Sequence, residues 1–247
     1  MYLRIRLASL KSHLLVITSI WTAAVPNAKE RNSGIRLIIV DDHRMIRQGL
    51  KSLLSAQDDM EVVGEAGDGR EAVSFVRELR PDVVVMDLRM PELNGIEATR
   101  QILGVHSGVK VVCLSSHTDQ RMTTEMLRAG AVGYVLKDAA FEELADAIRV
   151  VMKGKVYLSP AIAGVVVSDL VRSQDAEPAS PYSILSGRER EVLQLLAEGK
   201  STKEVAMNLG VSVKTAETHR RNVMEKLKID SIADLTKFAV REGITSL

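Results

Sequence analysis

The chain has 247 residues, is 46% hydrophobic and 26% charged, carries a net charge of +1 and contains a single cysteine, Cys113. These values fit one large globular domain or two modest ones and exclude disorder throughout and low-complexity scaffolds. One cysteine excludes an internal disulfide framework and a cysteine-rich zinc site.

Residues 1–34 differ from the rest. Arg4, Arg6 and Lys11 precede an apolar run over 14–25, and Pro26, Asn27 and Ala28 follow it, an order that imitates a secretory signal. The run is shorter than the roughly 20 residues a spanning helix requires. The extension is expected to be a non-functional or disordered leader rather than an export signal, as a start site set too far upstream would produce.

From Ile35 a regular alternation begins. Ile35–Val40 is an almost continuous apolar run, as expected of a strand buried on both faces. Met45, Ile46, Leu50, Leu53 and Leu54 follow at helical spacing. Further strands are expected over 61–66, 81–86, 109–114 and 133–136, and further helices over 70–79, 95–103, 119–129 and 141–152. This alternation predicts an α/β fold, a flavodoxin-like doubly wound five-stranded parallel sheet spanning residues 35–155. Residues 156–183 read as a linker, with a helix over 159–172 followed by a polar, proline-containing stretch.

Residues 184–247 contain no strand-like run and predict an all-α four-helix domain. Ser186 with Glu189 and Ser201 with Glu204 match the capping box, in which each side chain satisfies a free backbone N–H of the other residue. Ser212 and Ser231 are expected to cap the next two helices, and Gly199, Gly210 and Gly243 sit where helices should stop.

In a doubly wound sheet, ligands sit beyond the carboxyl ends of the strands. Those ends carry Asp41 and Asp42, Asp87, Ser115 and Ser116, and Lys137. Close carboxylates raise one another's pKa unless a cation neutralises them, and an all-oxygen set favours Mg²⁺. A carboxylate beside such a cation can attack a phosphoryl group to give an aspartyl phosphate. Lys137 would then offset charge on the group in transfer and Ser115 would hydrogen-bond to it. Cys113 reads as core. His43, His106, His117 and His219 are scattered along the chain, so no histidine metal site is expected.

The segments Val40-Asp41-Asp42-His43, Met86-Asp87-Leu88-Arg89-Met90-Pro91, Asn94-Gly95, Leu114-Ser115-Ser116 and Gly133-Tyr134-Val135-Leu136-Lys137 resemble a response-regulator receiver domain. The resemblance implies that Asp87 is phosphorylated by a sensor histidine kinase or a small phosphodonor. It also implies that Asp41, Asp42, Asp87 and the backbone carbonyl of Arg89 bind Mg²⁺, that Ser115 and Lys137 contact the phosphoryl group, and that Tyr134 is a switch residue. Asp138 stands where receivers commonly have proline, a departure expected to matter little.

The second domain has the spacing of a helix-turn-helix, with a supporting helix over 203–209, a turn at Gly210 and Val211, and a recognition helix over 213–227. Ala216, Val223 and Leu227 share one face, which should meet the core with His219 or Arg220 between them. Lys214, Glu217, Thr218, Arg221 and Glu225 share the other, which could reach base edges and phosphates. Lys203, Lys214, Arg220, Lys226 and Lys228 are candidate backbone contacts. The segments 185–199 and 203–227 resemble a LuxR-type helix-turn-helix domain, implying groove-facing roles for Lys214, Glu217, Thr218 and Arg221. Gly187 and Ala216 depart from the residues most frequent there, and the closing helix over 232–241 resembles one through which such domains dimerise.

Together the two halves resemble the NarL/FixJ group of response regulators. That resemblance implies a cytoplasmic transcription factor, switched by phosphorylation of Asp87, with no membrane association. Its implied partners are a sensor histidine kinase, double-stranded promoter DNA, a second copy when phosphorylated or DNA-bound, and RNA polymerase. One rival is a receiver acting through protein contacts with a degenerate reader. Another is an aspartyl-phosphate phosphotransferase or phosphatase, although such phosphatases usually place a second acid where this chain has Arg89. The near-neutral charge is an average. It divides into roughly +4 over 1–34, −3 over 35–155, −2 over 156–183 and +2 over 184–247, so an acidic domain masks a mildly basic one.

Overall fold

The computed structural model describes residues 34–116, 120–139, 141–172 and 181–245. The expected leader and most of the polar stretch after residue 172 lie outside the described residues. The first half runs β1 (Ile35–Val40), α1 (Arg44–Ser55), β2 (Met60–Ala66), α2 (Gly69–Leu79), β3 (Val83–Asp87), α3 (Gly95–Val105), β4 (Lys110–Ser115), α4 (Gln120–Arg128), β5 (Gly133–Leu136) and α5 (Phe141–Met152). The strands pair in parallel in the order β2-β1-β3-β4-β5, so the chain reverses its direction across the sheet at β1 and β3.

Alternate residues of each strand feed opposite faces, because successive side chains on a strand point to opposite sides. Ile38, Val40, Val84, Met86, Val111 and Cys113 belong to one core, with Val76, Ile102 and Met126 from α2, α3 and α4. Leu37, Ile39, Val83, Val85, Val112 and Leu114 belong to the other, with Leu54 from α1 and Ile148 from α5. Both faces are covered, so the strands had to be apolar throughout.

The sheet has six strands where five were expected. Tyr157–Leu158 forms β6, which pairs in parallel with β5 and is followed by α6 (Pro160–Arg172). Tyr157 N–H donates to the Val132 carbonyl at 3.0 Å and Ser159 N–H to that of Tyr134 at 2.9 Å. Two residues are too few to display a period, and the neighbouring main chain supplies the pairing. Ile162 is fully buried in the first of the two cores, and Leu158 and Val166 pack against it. The start of the segment read as linker is therefore part of the sheet domain's packing.

The second half consists of a 3₁₀ turn (Pro181–Ile184) and four helices, α7 (Gly187–Ala197), α8 (Thr202–Leu209), α9 (Val213–Leu227) and α10 (Ile232–Arg241). All four serine caps form, and Ser186/Glu189 and Ser201/Glu204 are complete capping boxes. Gly210 closes α8 at φ +64°, a left-handed conformation that glycine adopts without steric cost. A separate core joins Val192, Leu196, Val205, Leu209, Ala216, Val223, Leu235 and Phe238 from the four helices.

Candidate functional site

Strand order brings the expected residues together at one sheet edge. Asp41 follows β1, Asp87 ends β3, Ser115 ends β4 and Lys137 follows β5. Asp41 and Ser115 are each about 1% exposed and Asp87 is 6% exposed. The Lys137 ammonium lies 2.6 Å from Asp41 Oδ2 and 3.0 Å from Asp87 Oδ1, so one cation bridges both buried carboxylates. Asp87 Oδ1 also accepts the Leu88 N–H at 2.9 Å.

Burial pushes the Asp87 carboxyl up to about 6; the Lys137 charge opposes this and the Asp41 charge adds to it. Burial alone would lower Lys137, but its hydrogen bond to Asp41 and the charges of both acids raise it, so the ammonium keeps its charge. The pocket thus holds a carboxylate that is costly to charge, ready to gain from a further cation or from esterification.

Asp41, Asp42 and His43 bring one possible ligand atom each within 4.8 Å of one another, the cluster of this kind found among the described residues. His43 Nδ1 sits 2.6 Å from Asp42 Oδ1. Its main-chain N–H donates to Asp41 Oδ1 at 2.7 Å. Asp41 and Asp42, with Asp87 across the Lys137 bridge, form an acidic cluster that fits a divalent metal site.

Tyr134 points inward and is fully buried beside Ser115, Thr123 and Cys113. Burial raises both its hydroxyl and the Cys113 thiol, so neither ionises near neutral pH. Cys113 is core, as expected. The Arg89 side chain points to the helical domain, where its Nη2 would lie 3.3 Å from a Cβ placed on Gly243.

On α9 the expected phase is observed. Ala216 and Val223 are fully buried, whereas Lys214, Glu217, Thr218, Arg221 and Glu225 are exposed. Lys203 on α8 is exposed too. Arg220 is half-buried, with Nη1 3.4 Å from Thr202 Oγ1. Lys226 is held by the protein itself, its ammonium 2.7 Å from Glu189 Oε2 of the first capping box.

Sequence reasoning missed the contact between the two halves. Gln194 of α7 is about 1% exposed, and its Oε1 accepts from Asn94 N and Nδ2 at 3.0 and 2.8 Å. Its Nε2 donates to the Met90 carbonyl at 2.8 Å. Arg70 reaches Glu191 at 3.1 Å, Arg190 reaches Glu97 at 3.5 Å and Arg121 reaches Glu242 at 3.2 Å. The one available signal was a lone amide in the run Val192-Leu193-Gln194-Leu195-Leu196.

The model of the response regulator receiver domain matches residues 37–149, and that of the luxR family of bacterial regulatory proteins matches residues 183–239. The transcriptional regulatory protein LiaR of Bacillus subtilis (strain 168) is 44% identical over 212 residues, covering 86% of this chain and 100% of LiaR. The chain belongs to the response regulators that join a receiver to a LuxR-type domain. The oxygen regulatory protein NreC of Staphylococcus carnosus (strain TM300) is 40% identical over 214 residues, covering 85% of this response regulator and 99% of NreC. A LuxR-family response regulator from Aurantimonas sp. SI85-9A1 matches at TM-score 0.54 and 37% identity, covering 56% of the chain and 99% of that structure. The RcsB–DNA complex matches at TM-score 0.52 and 25% identity, covering 84% of the chain and 98% of that structure. The family comprises DNA-binding transcription regulators, which sets aside the enzymatic rival. No described helix is long and apolar enough to cross a membrane.

Proposed function

We propose that this response regulator is a phosphorylation-switched promoter-binding protein of the cytoplasm, in which Asp87 accepts a phosphoryl group from a sensor histidine kinase. The observation that carries the reading is the pairing, in one chain, of a buried Asp87 bridged by Lys137 with an exposed helix face bearing Lys214, Glu217, Thr218 and Arg221. In the transfer, an Asp87 carboxylate oxygen forms a bond to phosphorus as the bond to the donor histidine breaks, and the bonding pair leaves with the donor. Lys137, already against Asp87, then stabilises the added phosphoryl oxygens, and Ser115 turns its hydroxyl to one of them. Asp41, Asp42 and Asp87, with the Arg89 carbonyl, are the residues that would hold Mg²⁺, and bound there it would offset negative charge on the phosphoryl oxygens.

Tyr134 lies against Ser115, so a change in the Ser115 hydroxyl is felt at a buried aromatic next to α4. From α4, Arg121 holds Glu242 at the end of α10. A shift of α4 therefore bears on one of the contacts between the receiver and the helical domain. Because the groove-facing residues are already exposed while docked, release does not act by uncovering them. It frees α10 and the domain's orientation, so that two copies can pair on promoter DNA and meet RNA polymerase.

Incubation of the metal-loaded protein with radiolabelled acetyl phosphate tests the switch. The wild type is expected to take up label and Asp87→Asn none; persistent labelling of the variant would place the phosphosite elsewhere. For the reader, Lys214→Ala with Arg221→Ala is expected to abolish specific binding to the promoter of its own gene. Undiminished affinity would favour the rival in which the helical domain works through protein contacts.

A further inference from the structure

The seven residues 88–94 lead directly from Asp87 to α3 and include the Arg89 carbonyl expected at the metal. Three polar main-chain groups of this loop are satisfied from the other domain. Gln194 takes the Met90 carbonyl and the Asn94 N–H, while the Glu198 carboxylate takes the Glu92 N–H at 3.1 and 3.2 Å. Gln194 Nε2 also donates to Glu198 Oε1 at 2.8 Å, so the two side chains act as one clamp. Glu92 sits at φ +64°, a left-handed conformation that costs a side-chain-bearing residue energy and persists only when its surroundings impose it. Within the loop, Leu93 N–H donates to the Pro91 carbonyl at 2.7 Å and closes a turn around Glu92, while Glu198 of the helical domain accepts the Glu92 N–H. The loop is coupled just as tightly to the phosphoacceptor, because Gly95 N–H donates to the Leu88 carbonyl at 3.0 Å and Gly95 packs against the Asp87 carbonyl.

We infer that Gln194 and Glu198 are positioning residues for phosphorylation of Asp87: while the helical domain is docked, they hold loop 88–94 in a form that weakens binding of the metal and phosphoryl group. This rests on the reading that phosphorylation releases the reader. Binding linkage is reciprocal, so if the phosphoryl state disfavours docking, docking disfavours the phosphoryl state by the same factor. Loss of the clamp returns Met90 O, Glu92 N and Asn94 N to water and removes the helical domain's hold on the turn at Glu92.

Titration calorimetry of Mg²⁺ with beryllium fluoride, a phosphoryl mimic, into the metal-free full-length protein tests this at equilibrium. Gln194→Ala is expected to bind the mimic roughly fivefold or more tightly than wild type, within the usual range of coupling between sites. Glu198→Gln, a milder change that leaves the apolar core untouched, is expected to gain less. A merely destabilised protein does not gain affinity. Equal or weaker binding by both variants would overturn the inference and leave the phosphoacceptor site standing. Absence of binding by the wild type would overturn the reading of the site itself.

Discussion

Gly95 lies so close beneath Asp87 that a Cβ added to it would come 2.0 Å from the Asp87 carbonyl oxygen. The first residue of α3 and the phosphoacceptor are thus packed backbone to backbone, and neither can move alone. Gly95→Ala is expected to cost about 1–3 kcal/mol through overpacking, and more if the strand end cannot yield. Urea unfolding followed by circular dichroism measures it. A change below about 0.5 kcal/mol would mean that the loop absorbs a methyl freely, against the tight coupling described.

Lys137 is the shared counter-charge of Asp41 and Asp87. Lys137→Met is expected to destabilise the metal-free protein by about 3 kcal/mol or more at neutral pH, because it leaves two buried carboxylates facing each other without a cation. Lowering the pH, which protonates Asp87, should recover part of the loss. Melts in a chelating buffer at two pH values provide the check, and a pH-independent difference would show that the pair does not depend on Lys137.

Glu189 closes the first capping box and receives Lys226. Burial would raise its carboxyl, but the hydrogen bonds from Lys226 and Ser186 outweigh this and hold it below the ordinary value of 4.5. A carboxyl lowered in the folded state contributes stability above its unfolded pKa and loses that contribution as pH falls through the folded one. Glu189→Gln should therefore cost about 1–2 kcal/mol at pH 7, and the difference from wild type should shrink below pH 4 or so. An undiminished difference in acid would assign the loss to packing.

The same ion pair separates two kinds of lysine on the reader. Lys203→Ala is expected to weaken DNA binding across sequences and to reduce the salt slope by about one unit, as loss of a single phosphate contact should. Lys226→Ala is expected to leave that slope unchanged, since its charge is already met by Glu189. Arg221→Ala should cost about 1–3 kcal/mol on the cognate site and relax the choice of base at one position. Equal slopes for the two lysine variants would show that Lys226 leaves Glu189 on DNA.

Much of the site could be read from one dimension. Four strand ends carrying Asp41, Asp42, Asp87, Ser115 and Lys137 converge once the sheet is parallel, because every such strand points its carboxyl end the same way. The recognition helix could be phased from Ala216 and Val223, since helical periodicity alone separates the buried face from the exposed one. β6 escaped notice because two residues carry no period.

Local pattern therefore determined the elements, their caps and the chemistry at the strand ends, all of which depend on residues close in sequence or on the repeat of a strand or helix. Tertiary structure alone decided how the two domains speak to each other. The bonds of Gln194 to Asn94 and of Glu198 to Glu92 span 100 and 106 residues, and their energetic meaning comes from burial that no local pattern records. It also decided that Lys226 serves Glu189, and that the acidic receiver and the basic reader, already separable by their charge in sequence, are joined through the buried Gln194 and Asn94.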